Sequence, residues 1–198
     1  MDYINRNDLQ YSKELLETTQ MNPIETLENI MNEFGSEIKR LVYSYIKNPS
    51  DADDVTQEVF VTIYRKLNTF QGKSTLRSWV YAIAINKCKD YLRSWKVRNI
   101  KLKGKLEQFV KSADPPDTPE QHIIGKNEEK QLLNQVLSLP MKYREVIILF
   151  YFEEFSVNEI ADSLSINQNT VRTRLKRGRG KLKNIIQSER GGDLWINN

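Results

Sequence analysis

Residues 156–183 have the sequence SVNEIADSLSINQNTVRTRLKRGRGKLK, which predicts two helices separated by a short turn. In the first half, apolar residues recur at helical spacing, at Val157, Ile160, Ala161 and Leu164. The segment 165–167 interrupts this period, and Asn167 is a suitable N-cap for the second helix. The pattern is typical of a helix-turn-helix.

The second predicted helix is apolar on one side and basic elsewhere. Val171, Leu175 and Leu182 form a single stripe, and no acidic residue occurs between Gln168 and Lys183. Its cations are Arg172, Arg174, Lys176, Arg177, Arg179, Lys181 and Lys183. A basic run can be a solvated helix face with no ligand. Together with the turn and the cap, however, this one favours insertion into a DNA major groove.

The composition of the whole chain excludes several classes of protein. The 198 residues carry a net charge of +4, and the basic residues are concentrated in one segment. Residues 86–105 contain eight basic residues and one acidic residue, Asp90. One cysteine and one histidine exclude an internal disulfide and a zinc cluster. The longest apolar run, 146–152, is shorter than the ~20 residues of a membrane span. We therefore expect a soluble, cytoplasmic, reduced protein without a metal or cofactor, and a polyanionic partner.

Helical periodicity recurs along the chain, and strand signals are nearly absent. It predicts helices over 24–47, 51–67 and 75–97, with Tyr64 and Trp95 on their buried sides. Glycine and three prolines then indicate a flexible linker over 99–121. We predict an all-α protein of two small helical domains, 23–98 and 122–188, with the helix-turn-helix in the second. An extension, 1–22, and a tail, 189–198, have no assigned role.

The predicted helix over 51–67 has an acidic first half. Asp51, Asp53, Asp54, Gln57 and Glu58 occupy its first turns. Acids at a helix N-terminus complement its dipole, which explains one or two of them. The others predict a surface for a basic protein partner.

The next loop and helix combine aromatic and basic residues. Phe70, Lys73 and Ser74 precede Trp79 and Tyr81. Such a combination suits single-stranded nucleic acid, which needs stacking and phosphate neutralisation. Trp79 and Tyr81 also fit a core role. Asn86 could meet a base edge or cap a local backbone group, and it begins a polar strip that continues through Lys87, Lys89 and Arg93.

No residue or group of residues in this sequence is a candidate for catalysis. Cys88 falls on an apolar face, where a buried thiol is inert. No acid pair, Ser–His pair or metal cluster stands out, so we expect no catalytic activity.

Four segments in order resemble the extracytoplasmic-function sigma factors of bacterial RNA polymerase, in the sigma-70 family. They are DADDVTQEVFVTIYRKL, TFQGKSTLRSWVYAIAINKCKDYLR, LPMKYREVIILFYFEEFSVNEIA and NTVRTRLKRGRGKL. The resemblance covers about residues 24–188, with the proline-rich segment between the second and third.

The resemblance implies a role for each domain. The first domain would bind the clamp of core polymerase through Asp54, Gln57 and Glu58. It would recognise and melt the −10 element through Phe70, Lys73, Ser74, Trp79, Asn86, Lys87, Lys89 and Arg93. The second would read the double-stranded −35 element through Arg172, Thr173, Arg174, Lys176 and Arg177. An anti-sigma factor is a further implied partner. It can hold such a protein at the membrane, although the sigma factor itself does not insert into the bilayer.

Gly178 and Gly180 each cost about 1 kcal/mol inside a helix, so the predicted basic helix of the helix-turn-helix, here called the recognition helix, is expected to fray beyond Arg177.

Two other classes of protein remain open. A stand-alone dimeric helix-turn-helix regulator would need a self-association face and would leave the acidic helix without a role. An RNA-binding adaptor would bind single strands without preferring duplex.

Overall fold

The computed structural model describes residues 22–106 and 128–192, and within these ranges it is helical with no strand. A 3₁₀ turn, Leu67–Thr69, follows the second helix. The helices are α1 (Pro23–Ile46), α2 (Pro49–Lys66), α3 (Leu76–Leu106), α4 (Glu128–Ser138), α5 (Met141–Tyr151), α6 (Val157–Leu164) and α7 (Gln168–Gly192). The prediction of an all-α protein with a C-terminal helix-turn-helix is confirmed.

Helices α1, α2 and α3 form the first bundle, in which each packs on the other two. Lys47 ends α1 in the left-handed conformation, and the Asn48 side chain caps α2 by accepting from the Asp51 N–H at 3.1 Å. Pro49 is the first residue of α2 because it has no N–H to leave unpaired. The predicted start at Asp51 was therefore two residues late.

The core of the first bundle contains most of the predicted apolar stripes, but Met31 of the α1 stripe is 45% exposed, and Tyr64 and Trp95 are also exposed. Ile38, Leu41 and Ile63 are fully buried. Trp95, predicted to be buried, is 49% exposed, because α3 extends past its packing partners and every residue from 93 to 96 is exposed. Tyr64 is 44% exposed at the edge of the α2 stripe. Periodicity alone does not show where the partners of a helix end.

Helix α3 extends to Leu106, so it crosses the boundary predicted at residue 98 and enters the predicted linker. Residues 99–106 are rich in lysine and leucine, which favour helix, and this outweighs the single Gly104. The remaining predicted linker, 107–121, lies outside the described residues. So do residues 1–21 and the tail from 193.

Helices α4 to α7 form the second bundle, and α5 lies at its centre with every side chain from Tyr143 to Leu149 buried. A capping box starts α6: Ser156 Oγ accepts from the Glu159 N–H at 3.2 Å, and Glu159 Oε2 accepts from the Ser156 N–H at 2.9 Å. Ser165 then turns the chain in the left-handed conformation. Asn167 caps α7 as predicted, accepting from the Thr170 N–H at 2.9 Å.

The predicted fraying of the recognition helix beyond Arg177 is wrong, because α7 continues through both glycines. Gly178 is buried against α5. A Cβ at this position would lie 3.1 Å from Ile147 Cγ1 and 3.4 Å from Tyr143 Cβ. The absence of a side chain allows the two helices to approach, and the packing offsets the low helix propensity of glycine.

A matched pair of substitutions tests this close approach. Gly178→Leu should lower the free energy of unfolding by about 1–3 kcal/mol, because the new side chain overpacks the contact with α5. Gly180→Leu should leave it unchanged or raise it by up to about 1 kcal/mol, since no atom lies within 4 Å of a Cβ there and leucine favours helix. Chemical denaturation measures both. Equal effects would contradict the role given to Gly178.

Cys88 is buried in the first bundle, and burial raises the pKa of its thiol from 9.0 to about 12. The native protein should therefore react with a thiol reagent at pH 8 about 1000-fold more slowly than the unfolded chain. The stabilisation from the neutral thiol is complete below pH 9 and is lost as the pH rises towards 12. Labelling with and without denaturant measures the difference; equal rates would contradict it.

The two bundles meet where α3 packs on α6. The Tyr81 and Phe155 rings lie 4.7 Å apart there, and both side chains are buried. No helix among the described residues is long and apolar enough to span a membrane.

Candidate nucleic-acid interface

The recognition helix α7 presents its polar residues on the side opposite its buried stripe. Val171 and Leu175 face the bundle and are at most 5% exposed. The solvent side carries four of the predicted −35 residues, all exposed: Arg172, Thr173, Lys176 and Arg177. This arrangement is the one a helix needs to enter a major groove while it stays anchored to its own domain.

Local hydrogen bonds orient this face. The Arg172 guanidinium donates to Asn169 Oδ1 at 3.3 Å and to Gln168 Oε1 at 3.4 Å. Thr173 Oγ1 donates to the Asn169 carbonyl at 2.8 Å. A polar cleft of about 390 Å³ lies beside these residues, and Lys142 and Arg177 are part of its wall. Arg172 is therefore held at the surface, close to amide groups that can also donate and accept.

The fifth predicted −35 residue, Arg174, is placed differently. It lies on the flank of α7 and is half-buried, and its Nη1 donates to Glu145 Oε1 at 2.8 Å. Glu145 is only 4% exposed in α5. Sequence reasoning missed this acid, because an isolated glutamate before an apolar run gives no sign that it is buried.

The predicted aromatic surface of the first bundle is smaller than expected. Phe70 is 6% exposed and packs on Trp79 with the ring centroids 5.1 Å apart. Tyr81 is fully buried at the contact with α6. Of the three aromatic side chains, only Trp79 keeps partial exposure. Lys73 in the preceding loop is exposed, and Ser74 is partly exposed.

The predicted basic strip on α3 divides between two sides of the helix. Asn86, Lys89 and Arg93 recur at three- and four-residue spacing and share one face. Lys87 points elsewhere and forms an ion pair with Glu58 Oε2 of α2 at 3.6 Å. The structure thus brings Asn86, Lys89 and Arg93 together and separates Lys87 from them.

The acidic surface of α2 is exposed as predicted. Asp54, Gln57 and Glu58 all point to solvent. Asp53 is neutralised by Lys39 of α1 at 2.8 Å. Within the part of the chain that the structure describes, no group of three or more acidic, histidine or cysteine side chains could hold a metal ion.

An apolar groove on the second bundle was not predicted from the sequence. It has a volume of about 540 Å³, and its walls come from α4, α5 and α7. Leu132, Tyr151 and Phe152 line it and are 41–49% exposed. An exposed apolar patch of this kind suits an apolar protein segment better than nucleic acid.

Two helical bundles, one of them presenting a basic recognition helix, define a two-domain DNA-binding protein. Comparison with known families gives the same division. Residues 30–97 match Sigma-70 region 2, and residues 129–182 match Sigma-70, region 4.

Known relatives span both domains. The chain is 33% identical to the RNA polymerase sigma factor SigV of Bacillus subtilis over 138 residues, covering 70% of this chain and 77% of SigV. It is 29% identical to the extracytoplasmic-function sigma factor SigW of the same organism over 164 residues, covering 80% of this chain and 88% of SigW. The sigma factor RpoE of Bartonella quintana, solved with the anti-sigma factor NepR, shares the fold with a TM-score of 0.64. Its identity is 18%, with 83% of this chain and 98% of RpoE covered.

The chain therefore belongs to the sigma-70 family of RNA polymerase sigma factors, in the extracytoplasmic-function group. It is a sigma factor, a subunit of transcription initiation. The stand-alone dimeric regulator is not favoured, because both family regions are present in order.

Proposed function

We propose that the second bundle reads the −35 element and that the first bundle binds core polymerase and melts the −10 element. The observation that carries this proposal is the solvent face of α7. Arg172, Thr173, Lys176 and Arg177 project from a helix that Val171 and Leu175 anchor. Arginine and lysine on such a helix donate to guanine edges and to phosphates.

Arg174 is the fifth member of this proposed reader. It can reach DNA only if its bond to Glu145 is exchanged for one to a base or phosphate. The other four side chains need no such exchange, because they are already exposed.

The −10 role rests on the loop before α3 and on one face of α3. Trp79 supplies a partly exposed ring, and Phe70 supports it from below. Lys73 and Ser74 lie in the loop before α3, and Asn86, Lys89 and Arg93 share one face of α3. An unstacked base could rest against Trp79, which would offset part of the few kcal/mol needed to extrude it. Lys87 would first have to leave Glu58.

Polymerase binding is assigned to the exposed, mainly acidic surface of α2. Asp54, Gln57 and Glu58 lie on one exposed segment, and a basic surface of the clamp would complement it. Docking there would fix the first bundle, and the second would then search for DNA at a high effective concentration. Each bundle alone can therefore bind DNA weakly and still act on a promoter when both are docked on the polymerase.

We also infer a cytoplasmic, non-catalytic subunit regulated by a protein partner. RpoE of Bartonella quintana binds the anti-sigma factor NepR. In this chain the apolar groove of the second bundle fits the apolar face of a partner helix. An anti-sigma factor occupying it would hold the protein away from the polymerase.

Footprinting on a selected promoter tests the proposed function. With core polymerase present, the chain should protect paired −10 and −35 elements and render −10 bases reactive to a single-strand probe. Without core, protection should weaken by at least about tenfold, because the two readers are no longer held together. A footprint that does not depend on core would contradict the proposal. A stable dimer that protects a palindrome would support the stand-alone regulator instead.

A further inference from the structure

The apolar groove of the second bundle is left partly open by the helices that build it. Its walls are formed by apolar side chains of three helices: Leu132 and Val136 of α4, Tyr151 and Phe152 at the end of α5, and Leu182 and Ile186 of α7. Leu132, Tyr151 and Phe152 remain 41–49% exposed. Apolar surface left in water is unfavourable, so the groove favours an apolar occupant.

The groove lies close to the end of α7. The last residues of this helix in the wall are Lys183, Ile186 and Gln187. Helix α7 continues to Gly192, five residues past Gln187. This remainder is about 7.5 Å long at 1.5 Å per residue. A chain that leaves α7 there and reverses therefore passes back along the groove within a few residues.

The sequence after α7 supplies an apolar segment at this point. Residues 193–198, DLWINN, lie outside the described residues and are called here the tail segment. Leu194, Trp195 and Ile196 are consecutive and have polar residues on both sides. A run of this kind is unfavourable in water, and a tryptophan side chain buries about 150–250 Å² when it packs. The tail segment therefore needs a surface that accepts these side chains.

Two glycines allow the reversal that brings the tail segment to the groove. Gly191 and Gly192 directly precede it. Glycine has the lowest helix propensity apart from proline and readily adopts turn conformations, so the chain can reverse there. An extended chain advances about 3.3 Å per residue, which places Trp195 roughly 10 Å back from Gly192. That length equals about six or seven residues of helix, so Trp195 reaches the level of Ile186.

We propose that the tail segment docks in the apolar groove of its own bundle, with Trp195 between α4 and the end of α7. Tethering favours this occupant over a second copy of the chain. A segment joined to its site by a few residues has an effective concentration on the order of 1 mM, well above the concentration of the protein itself. The groove is therefore covered by the chain that forms it.

Docking of the tail segment regulates access to the groove. A partner helix that binds there must first displace the tail segment. An occupied fraction of about 90% would lower the affinity of that partner about tenfold. This consequence rests on the partner proposed above, whereas the docking itself does not.

Fluorescence of Trp195 tests the docking in the full chain. Trp79→Phe and Trp95→Phe leave it as the only one of the three tryptophans. In the native protein its emission should be shifted to shorter wavelength than in denaturant, and acrylamide should quench it several-fold more slowly, because the ring is removed from water. Circular dichroism confirms that the protein is folded. Native quenching as fast as that in denaturant overturns the proposal.

A matched pair of variants shows where Trp195 is buried. Leu132→Gln removes an apolar side chain from the groove wall. Leu133→Gln changes the next residue, which is 42% exposed against 41% for Leu132 and lies outside the wall. Leu132→Gln should shift the emission of Trp195 towards that of the denatured chain and speed its quenching, whereas Leu133→Gln should change neither. Equal results for the two variants overturn the proposal, because Trp195 would then lie elsewhere.

Cross-linking identifies the occupant in a chain that keeps all three tryptophans. Ile196→Cys is combined with Lys183→Cys in the groove wall or, as a control, with Asp162→Cys, which is exposed on α6. Oxidised glutathione should produce a disulfide within one chain in the first pair and little in the second, and the buried Cys88 should not react. A disulfide between two chains would show a second copy in the groove and overturn the proposal, as would equal yields in the two pairs.

Discussion

Replacing Ile147 by alanine is expected to lower the free energy of unfolding of the second bundle by about 2–5 kcal/mol. Ile147 is 1% exposed at the centre of α5, and its side chain lies against Gly178 of the recognition helix. Truncation leaves a cavity between α5 and α7, so it weakens the packing of the helix that would read DNA. At temperatures where the variant is partly unfolded, binding to the −35 element should fall in proportion.

Val61→Ala is the control for this substitution. Val61 is 48% exposed on α2, so its truncation should change stability by less than about 0.5 kcal/mol. Thermal and denaturant unfolding of both variants gives the comparison. If Ile147→Ala lowers the free energy of unfolding by less than about 1 kcal/mol, then the stability of the recognition helix does not depend on this contact.

Arg174→Ala is expected to weaken binding of the holoenzyme to its −35 element by about 1–3 kcal/mol, or roughly 5- to 150-fold. The effect should be confined to one or two base pairs, because a bidentate arginine reads a particular base edge. Affinities for a set of duplexes with single base-pair changes measure the pattern.

Arg179→Ala provides the matched control on the same helix. Arg179 is exposed, and its Nη1 lies 3.4 Å from the Tyr151 hydroxyl at the edge of the groove. Its loss should therefore have a smaller effect that does not depend on base sequence. If Arg174→Ala weakens all duplexes equally, then Arg174 contacts phosphate and carries no sequence information.

Local signals in the sequence were sufficient for most of the fold. Asn167 is a cap as predicted; the capping box of Ser156 and Glu159 was not predicted, although it too forms between near neighbours. These features involve neighbours within four residues, so the sequence contains the whole interaction. The helix boundaries were less accurate, because the start of α2 depends on Pro49 and the end of α3 depends on the propensity of a lysine-rich segment.

The exposure of the candidate site residues was predictable only for those on the solvent side of a helix. Arg172, Thr173, Lys176 and Arg177 lie at the surface, whereas Phe70 and Tyr81 are buried by residues distant in sequence. The buried Glu145 and Glu153 were missed for the same reason, because they accept hydrogen bonds from Tyr45 and Tyr81, which lie 100 and 72 positions away. No periodicity carries information over such separations.

The missing side chain at Gly178 has a consequence for how the protein can change. It sets the height of α7 above α5, and that height determines whether Arg174 reaches Glu145 one helical turn away. A larger residue at position 178 would act as a spacer: it would lift the arginine from the carboxylate and tilt the whole reading face at the same time. Under the role proposed for Arg174, a substitution at position 178 would therefore change the contact with DNA and the Arg174–Glu145 ion pair together, because both depend on the packing of α7 on α5.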